Sequence, residues 1–99
     1  MNVVMTAGAE ADLEAAADYI GIDSPRRAIA FLRGLREFCL RRADEATAFP
    51  MVPRYESQGV RRRVYGAYIV FYRIGPEAIE VLHILHGTRD YEPILFPKI

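Results

Sequence analysis

The chain has 99 residues, of which 52% are hydrophobic and 26% are charged, and its net charge is zero. This length and composition are typical of one globular domain, residues 1–99, and exclude a disordered chain or a large cofactor-binding enzyme. One cysteine cannot form an internal disulfide, and the first twenty residues carry four acids among their alanines, unlike a secretion signal or a membrane span. We therefore expect a cytoplasmic protein with no cofactor and no membrane contact.

The first half of the chain predicts a short strand and two helices. Residues 2–5 are apolar and β-branched, and Thr6 is placed to cap a helix over residues 7–20, which Gly21-Ile22-Asp23 ends. Ser24-Pro25 is a strong helix-start signal, and apolar residues then recur with a period of about 3.6 to residue 46. The two helices should form a tight antiparallel hairpin, because the first helix presents mainly alanines on its apolar side.

The second half predicts a β-meander. After an extended connector at residues 49–53, the hydrophobic period changes from about 3.6 to 2, which indicates strands at residues 60–65, 68–74 and 78–85. Gly66 suits the first central position of a type II′ turn. A tail, residues 87–99, follows. The predicted fold class is α+β, with an N-terminal strand and a two-helix hairpin packed on an antiparallel meander.

The second and third meander strands are apolar on both faces. In the second strand Tyr68, Val70 and Tyr72 alternate with Ile69 and Phe71. The helices can bury one face, and the short tail is the only segment left for the other. An uncovered apolar face in a small domain indicates a partner. The alternative is that Tyr91 and the apolar residues at 94–96 fold back over part of that face.

Three isolated features have simple structural explanations. His83 and His86 lie near the end of a strand, where residues three apart point to opposite faces, so we do not expect a metal site. Cys39 lies in the apolar stripe of the second helix and is best explained as a buried structural thiol.

Two polar segments are candidates for function. Arg61-Arg62-Arg63 could hold phosphates or acidic side chains, since arginine binds both in bidentate fashion, or it could protect a sheet edge from aggregation. The segment from His86 to Tyr91 combines a histidine, an arginine and a tyrosine and could serve acid–base chemistry or phosphate binding. Within it, Asp90 could instead pair with Arg89 or cap a short helix.

An ordered set of short motifs then resembles a known family. It comprises Ala9-Glu10-x-Asp12-Leu13, Asp18-Tyr19-Ile20, Gly59-x-Arg61, the run from Tyr68 to Arg73, and the run from Ile79 that ends in His86-Gly87-x-Arg89-Asp90. Together they resemble the ParE branch of the RelE/ParE toxin superfamily, over nearly the whole chain. The ending His-Gly-x-Arg-Asp is the most specific part.

The resemblance implies the toxin of a bacterial type II toxin–antitoxin pair. A ParE-branch toxin is expected to inhibit DNA gyrase, with the A subunit of that enzyme as the expected contact, and to form a hetero-oligomer with a ParD-like antitoxin that neutralises it. It is not expected to catalyse a reaction or to bind nucleic acid directly. The alternatives are a RelE-type ribosome-dependent mRNA endoribonuclease, whose lysine-rich site has no counterpart here, and a non-toxic relative that binds only its antitoxin.

The resemblance and the residue pattern together assign three sets of residues. The target-binding set is His86, Arg89, Asp90 and Tyr91. The antitoxin-binding set is Phe31, Leu35, Arg61, Arg62, Arg63, Tyr68, Val70 and Tyr72. If the chain is a ribonuclease, the catalytic set is Arg62, His86, Arg89 and Tyr91.

Overall fold

The structure, a computed structural model, describes residues 2–41 and 43–97. Within these ranges the elements are β1 (Asn2–Met5), α1 (Ala7–Asp23), α2 (Pro25–Arg41), two 3₁₀ turns (Ala43–Ala48 and Glu56–Gln58), β2 (Val60–Tyr65), β3 (Tyr68–Ile74), β4 (Ala78–His86) and α3 (Glu92–Leu95). The sheet order is β1-β4-β3-β2, with β1 parallel to β4 and the meander antiparallel. The α+β fold class is confirmed. The last two residues of the predicted tail lie outside the described residues.

The helical hairpin turns at a single serine. Ser24 has an extended backbone, and its N–H donates to the Ile20 carbonyl at 3.1 Å, which ends α1. Its Oγ accepts from the Arg27 N–H at 3.2 Å, which caps the start of α2. The predicted break at residues 21–23 is wrong, because α1 continues to Asp23. Gly21 stays helical where the helices approach closely: a Cβ there would lie 3.6 Å from that of Ala28.

The second helix is shorter than predicted. It ends at Arg41, and the chain continues as a 3₁₀ turn over Ala43–Ala48, with Arg42 between them outside the described residues. Backbone carbonyls in this region serve side chains of the sheet. Tyr72 donates its hydroxyl to the Ala46 carbonyl, and Arg61 donates to the carbonyls of Thr47 and Phe49 at 3.2 and 2.7 Å. These hydrogen bonds hold residues 46–49 against the sheet, where they could not lie if α2 continued in its own direction.

The helices bury one face of the sheet. That core consists of Ala9, Leu13, Leu35, Ala46, Val70, Tyr72, Ile79, Val81 and Ile84. Gly34 belongs to the packing, because a Cβ there would lie 2.4 Å from the Tyr65 hydroxyl. Cys39 packs against the same core, and burial raises the pKa of its thiol to about 11. A thiol with so high a pKa is a poor nucleophile at neutral pH, which agrees with the prediction that Cys39 has a structural role.

The start of α1 is fastened to the outer edge of β4 by side chains. Thr6 donates its hydroxyl to the Val81 carbonyl at 2.8 Å, and Asp12 accepts from the Ile84 N–H at 2.9 Å and contacts His83 Nδ1 at 2.8 Å. These bonds satisfy backbone groups that a neighbouring strand would otherwise pair, because β1 stops opposite Val81. They therefore fix the position of α1 along β4.

The second face of the sheet is covered by the chain itself, so the prediction of an uncovered face is wrong. Val52, Val60, Phe71 and Leu85 form a second buried core there. In the structure the connector extends to residue 55, and half-buried side chains from it and from the tail surround this core: Tyr55, Tyr91, Ile94, Leu95 and Phe96. Two short segments together supply the cover, the connector from one side and α3 from the other. Each buried aliphatic or aromatic side chain contributes about 1.5–3 kcal/mol.

Contacts between the connector and the tail hold this cover in place. The Tyr55 and Phe96 rings stack with centroids 3.8 Å apart and an interplanar angle of 3°, and Arg54 pairs with Glu92. Arg54 has a φ of 72°, a left-handed conformation that is unusual for a residue with a side chain. It follows Pro53 in a turn closed by a 3.1 Å bond from the Tyr55 N–H to the Val52 carbonyl. This turn places the Arg54 guanidinium next to Glu92 of the tail.

We expect Asp12→Ala to lower the free energy of unfolding by roughly 2 kcal/mol, because it leaves the Ile84 N–H and the His83 ring without their acceptor. Asp18→Ala is the matched control, since Asp18 is an exposed carboxylate on the same helix. Urea denaturation of both variants checks this. Equal stabilities would show that the carboxylate does not fasten α1 to β4.

Candidate functional site

The predicted target-binding residues lie in the turn that follows β4. His86 ends the strand, and the Arg89 N–H closes the turn by donating to the His86 carbonyl at 2.9 Å. Residues 86–90 are exposed, whereas Tyr91 is half-buried. Neither structural role considered for Asp90 is seen in the described part of the chain: it forms no ion pair with Arg89, and α3 begins without a side-chain cap.

His86 is held in a defined orientation. Its Nδ1 accepts from the Thr88 N–H at 3.2 Å and lies 2.8 Å from the Thr88 hydroxyl, and its ring meets the Tyr68 ring edge-on with centroids 5.3 Å apart. An Nδ1 that accepts from a backbone N–H carries no proton, so the neutral ring carries its proton on Nε2. His86 is therefore positioned to donate a hydrogen bond from Nε2.

A groove of about 430 Å³ opens beside this turn. The C-terminal half of α1 forms one wall, with Ala15 and Tyr19, and His86, Thr88 and Arg89 form the other. The end of β4 forms the floor. Tyr19 is 74% exposed, which is unusual for an aromatic side chain on a small protein. The groove thus combines aromatic surface, a hydrogen-bond donor and the Arg89 guanidinium.

The structure separates the four residues proposed for a ribonuclease. His86 pairs with Tyr68 across the strands, and Tyr68 packs on the helix face. Tyr91 lies on the second face, 4.9 Å between ring centroids from Phe71, and its hydroxyl accepts from Arg62 at 3.4 Å. Arg89 lines the groove with His86. The sheet therefore lies between two pairs, His86 with Arg89 and Arg62 with Tyr91.

The arginine cluster at 61–63 is largely engaged within the chain. Arg61 donates to connector carbonyls, and Arg62 contacts the tail. Arg63 is 9% exposed and lies between two rings, with its guanidinium carbon 4.0 Å from the Phe38 centroid and 4.4 Å from that of Phe49. Cation–π contacts of this kind are strengthened by burial. These arginines fasten the connector and tail to β2.

The residues predicted to bind an antitoxin do not form an exposed surface. Tyr68, Val70 and Tyr72 lie on the face that the helices cover, and the last two are only 3% and 5% exposed. Leu35 is fully buried, and Phe31 is half-buried against Tyr68. The prediction that Tyr68, Val70 and Tyr72 contact a partner assumed that the helices cover the opposite face of the sheet, around Phe71. In the structure both faces are covered.

A surface on α2 that was not predicted from the sequence is exposed to solvent. Ile29 and Leu40 are 58% and 61% exposed and lie eleven residues apart, about three helical turns, on one line of the helix. Arg26 and Arg33 flank that line, and neither has an ion-pair partner among the described residues. The sequence contains a signal for this surface, because Ile29 and Leu40 lie outside the apolar stripe of the helix, on the side that carries the arginines. We call Arg26, Ile29, Arg33 and Leu40 the outer α2 face.

No group of three histidine, cysteine or acidic side chains that could hold a metal ion occurs in residues 2–41 and 43–97. His83 is bonded to Asp12, away from His86. In the same ranges, none of the helices has the length and apolar character needed to cross a membrane.

Comparison with known proteins identifies the family. The family model of the ParE toxin of the type II toxin–antitoxin system parDE matches residues 3–91. The fold is similar to a chain of the chromosomal ParDE toxin–antitoxin system from Pseudomonas aeruginosa, with a TM-score of 0.71 and 24% identity over 87% of this chain and 95% of that one. It is also similar to a chain of the RelBE2 toxin–antitoxin complex from Mycobacterium tuberculosis, with a TM-score of 0.61 and 25% identity over 86% and 95% of the two chains. No curated protein matches the sequence.

The family match spans most of the chain, from β1 to the residue before α3, and the two solved structures are similar to it over 87% and 86% of its length. It includes the turn after β4, the groove beside it and the outer α2 face. The chain therefore belongs to the ParE toxin family of type II toxin–antitoxin systems.

Proposed function

We propose that this toxin inhibits DNA gyrase by binding its A subunit through the exposed turn at residues 86–90. The observation that carries the proposal is the separation of Arg62 and Tyr91 from His86 and Arg89 by the sheet. Ribonuclease chemistry needs its acid, base and charge-stabilising groups around one scissile bond. An exposed turn with one oriented imidazole and one guanidinium that has no ion-pair partner in the described part of the chain supports binding to a protein surface instead.

We further propose that a ParD-like antitoxin neutralises the toxin and forms a hetero-oligomer with it in the cytoplasm, where gyrase also acts. The outer α2 face supports an acidic, amphipathic partner segment, because two exposed aliphatic side chains alternate there with two arginines that have no ion-pair partner among residues 2–41 and 43–97. Aliphatic anchors give such an interface its affinity, and charge complementarity gives it specificity. Of the eight residues predicted from the sequence, Leu35, Val70 and Tyr72 offer almost no surface to a partner.

A second candidate function is RelE-type cleavage of mRNA on the ribosome. The similarity to the RelBE2 complex and the contact between Arg62 and Tyr91 favour it. Primer extension on translated mRNA separates the two functions: codon-positioned cuts that disappear in Arg62→Ala would establish the ribonuclease. Normal growth on overexpression without antitoxin would instead indicate a non-toxic relative.

We expect the double variant His86→Ala and Arg89→Ala to require at least about tenfold more protein for half-inhibition of gyrase supercoiling. The reason is that it removes the oriented donor and the free charge of the turn. Arg33→Ala is the control, because it removes an exposed unpaired arginine from the outer α2 face. The supercoiling assay measures both variants. A wild-type protein that leaves gyrase active at large molar excess would refute gyrase as the target.

We expect Ile29→Asp combined with Arg33→Glu to weaken binding of the antitoxin from the neighbouring gene by about 100-fold. The double variant places acidic groups where an acidic amphipathic segment would dock. Val64→Asp is the matched control, since Val64 is 64% exposed on β2, away from α2. Calorimetric titration gives the dissociation constants. If the control weakens binding as much as the double variant, the antitoxin does not dock on the outer α2 face.

A further inference from the structure

The outer edge of β4 is only partly covered by another strand. β1 pairs with β4 from Ala78 to Val81 and then ends, while β4 continues to His86. In the described part of the chain no strand lies beside the remaining residues, and α1 passes next to them instead. A strand edge left in this way offers backbone groups to any chain that can approach it.

Some of these groups are satisfied by side chains, and two face the groove. Thr6 bonds the Val81 and Leu82 carbonyls, and Asp12 accepts from the Ile84 N–H. The N–H and C=O of one strand residue point to the same side, and alternate residues share that side. The Ile84 carbonyl and the His86 N–H therefore also point away from β3.

The neighbouring residues confirm this alternation. The Gly87 N–H donates to the Ala67 carbonyl at 2.8 Å, so the odd-numbered residues at the end of β4 face β3. The Ile84 carbonyl and the His86 N–H have no partner within residues 2–41 and 43–97. Both groups lie at the floor of the groove. They belong to residues two apart on the strand, so a single residue of an extended chain beside β4 has the right spacing to hydrogen-bond to both.

The charge of the groove selects among extended chains. Its acidic residue, Asp12, is occupied by the Ile84 N–H and by His83. Arg89 on the opposite wall has no ion-pair partner in the described ranges. The free charge is therefore positive. The aromatic rings of Tyr19 and Tyr68 add apolar surface beside it, and the volume of about 430 Å³ falls within the range of ligand clefts.

We infer that the groove takes an extended acidic segment of the target protein, which adds as a short strand to the edge of β4 at Ile84 and His86. Strand addition gives affinity through the backbone, and an acidic side chain of the segment pairs with Arg89. The inference rests on the proposed function, because it specifies how the turn after β4 engages gyrase. The imidazole of His86 and the Thr88 side chain then form the wall of an occupied cleft.

The test compares two substitutions on one helix face. Ala15→Glu places a carboxylate inside the groove, where it fills space and neutralises Arg89, and Ala11→Glu places one a turn earlier and outside the groove. Both alanines are exposed, so both variants should fold, which circular dichroism checks. We expect Ala15→Glu to weaken binding to the A subunit of gyrase by at least tenfold and Ala11→Glu to leave it unchanged. Hydrogen exchange should also show protection of the His86 N–H in the complex.

The other outcomes overturn the inference in distinguishable ways. If Ala15→Glu binds as tightly as wild type, or if both variants weaken equally, the target docks on the turn from outside and the proposed function stands without the groove. An unprotected His86 N–H in the complex leads to the same conclusion. Protection of that N–H by the antitoxin and not by gyrase assigns the groove to the antitoxin. A wild-type chain that does not bind gyrase refutes the proposed function, and the inference falls with it.

Discussion

The two central strands of this protein are apolar on both faces, and the rest of the structure follows from the need to cover both. The helices cover one face, where Leu35 and Val70 are buried, and the connector and α3 cover the other around Phe71. The arginines of β2 secure both covers: Arg62 contacts the tail on the second face, and Arg63 lies between Phe38 of α2 and Phe49 on the face that the helices cover.

Because both faces are closed, the surfaces proposed for function lie at the margins of the fold. One is the turn after β4 with its groove, where β1 ends early and α1 takes over the edge of the sheet through Thr6 and Asp12. The other is the outer α2 face around Ile29 and Leu40. Both surfaces carry arginines without an ion-pair partner among the described residues, so a toxin of zero net charge still presents local positive charge.

The sequence predicted the elements well because their signals are local. Ser24-Pro25 marks the helix start, and the alternation around Val70 and the turn at Gly66 define the meander. It did not predict which face each strand residue occupies, because a period of two fixes alternation and not direction. The tail was considered as a cover for the second face only as the alternative, and the part supplied by Tyr55 was missed, since the contacts of Tyr55 with Phe96 and of Tyr91 with Phe71 join segments far apart in the chain. The residues of the turn after β4 could be grouped from the sequence as one candidate site because they are contiguous, whereas the groove beside them could not be predicted, since one wall comes from α1 and the floor from β4.

The central claim is that the free chain closes its own second sheet face, and one measurement tests it most directly. In the isolated protein, at concentrations where it sediments as a monomer, nuclear Overhauser contacts can be sought between the rings of Phe71 and Tyr91, whose centroids lie 4.9 Å apart. We expect strong contacts between these rings without any partner present. Their absence from the monomer, or their appearance only when antitoxin is added, would contradict it.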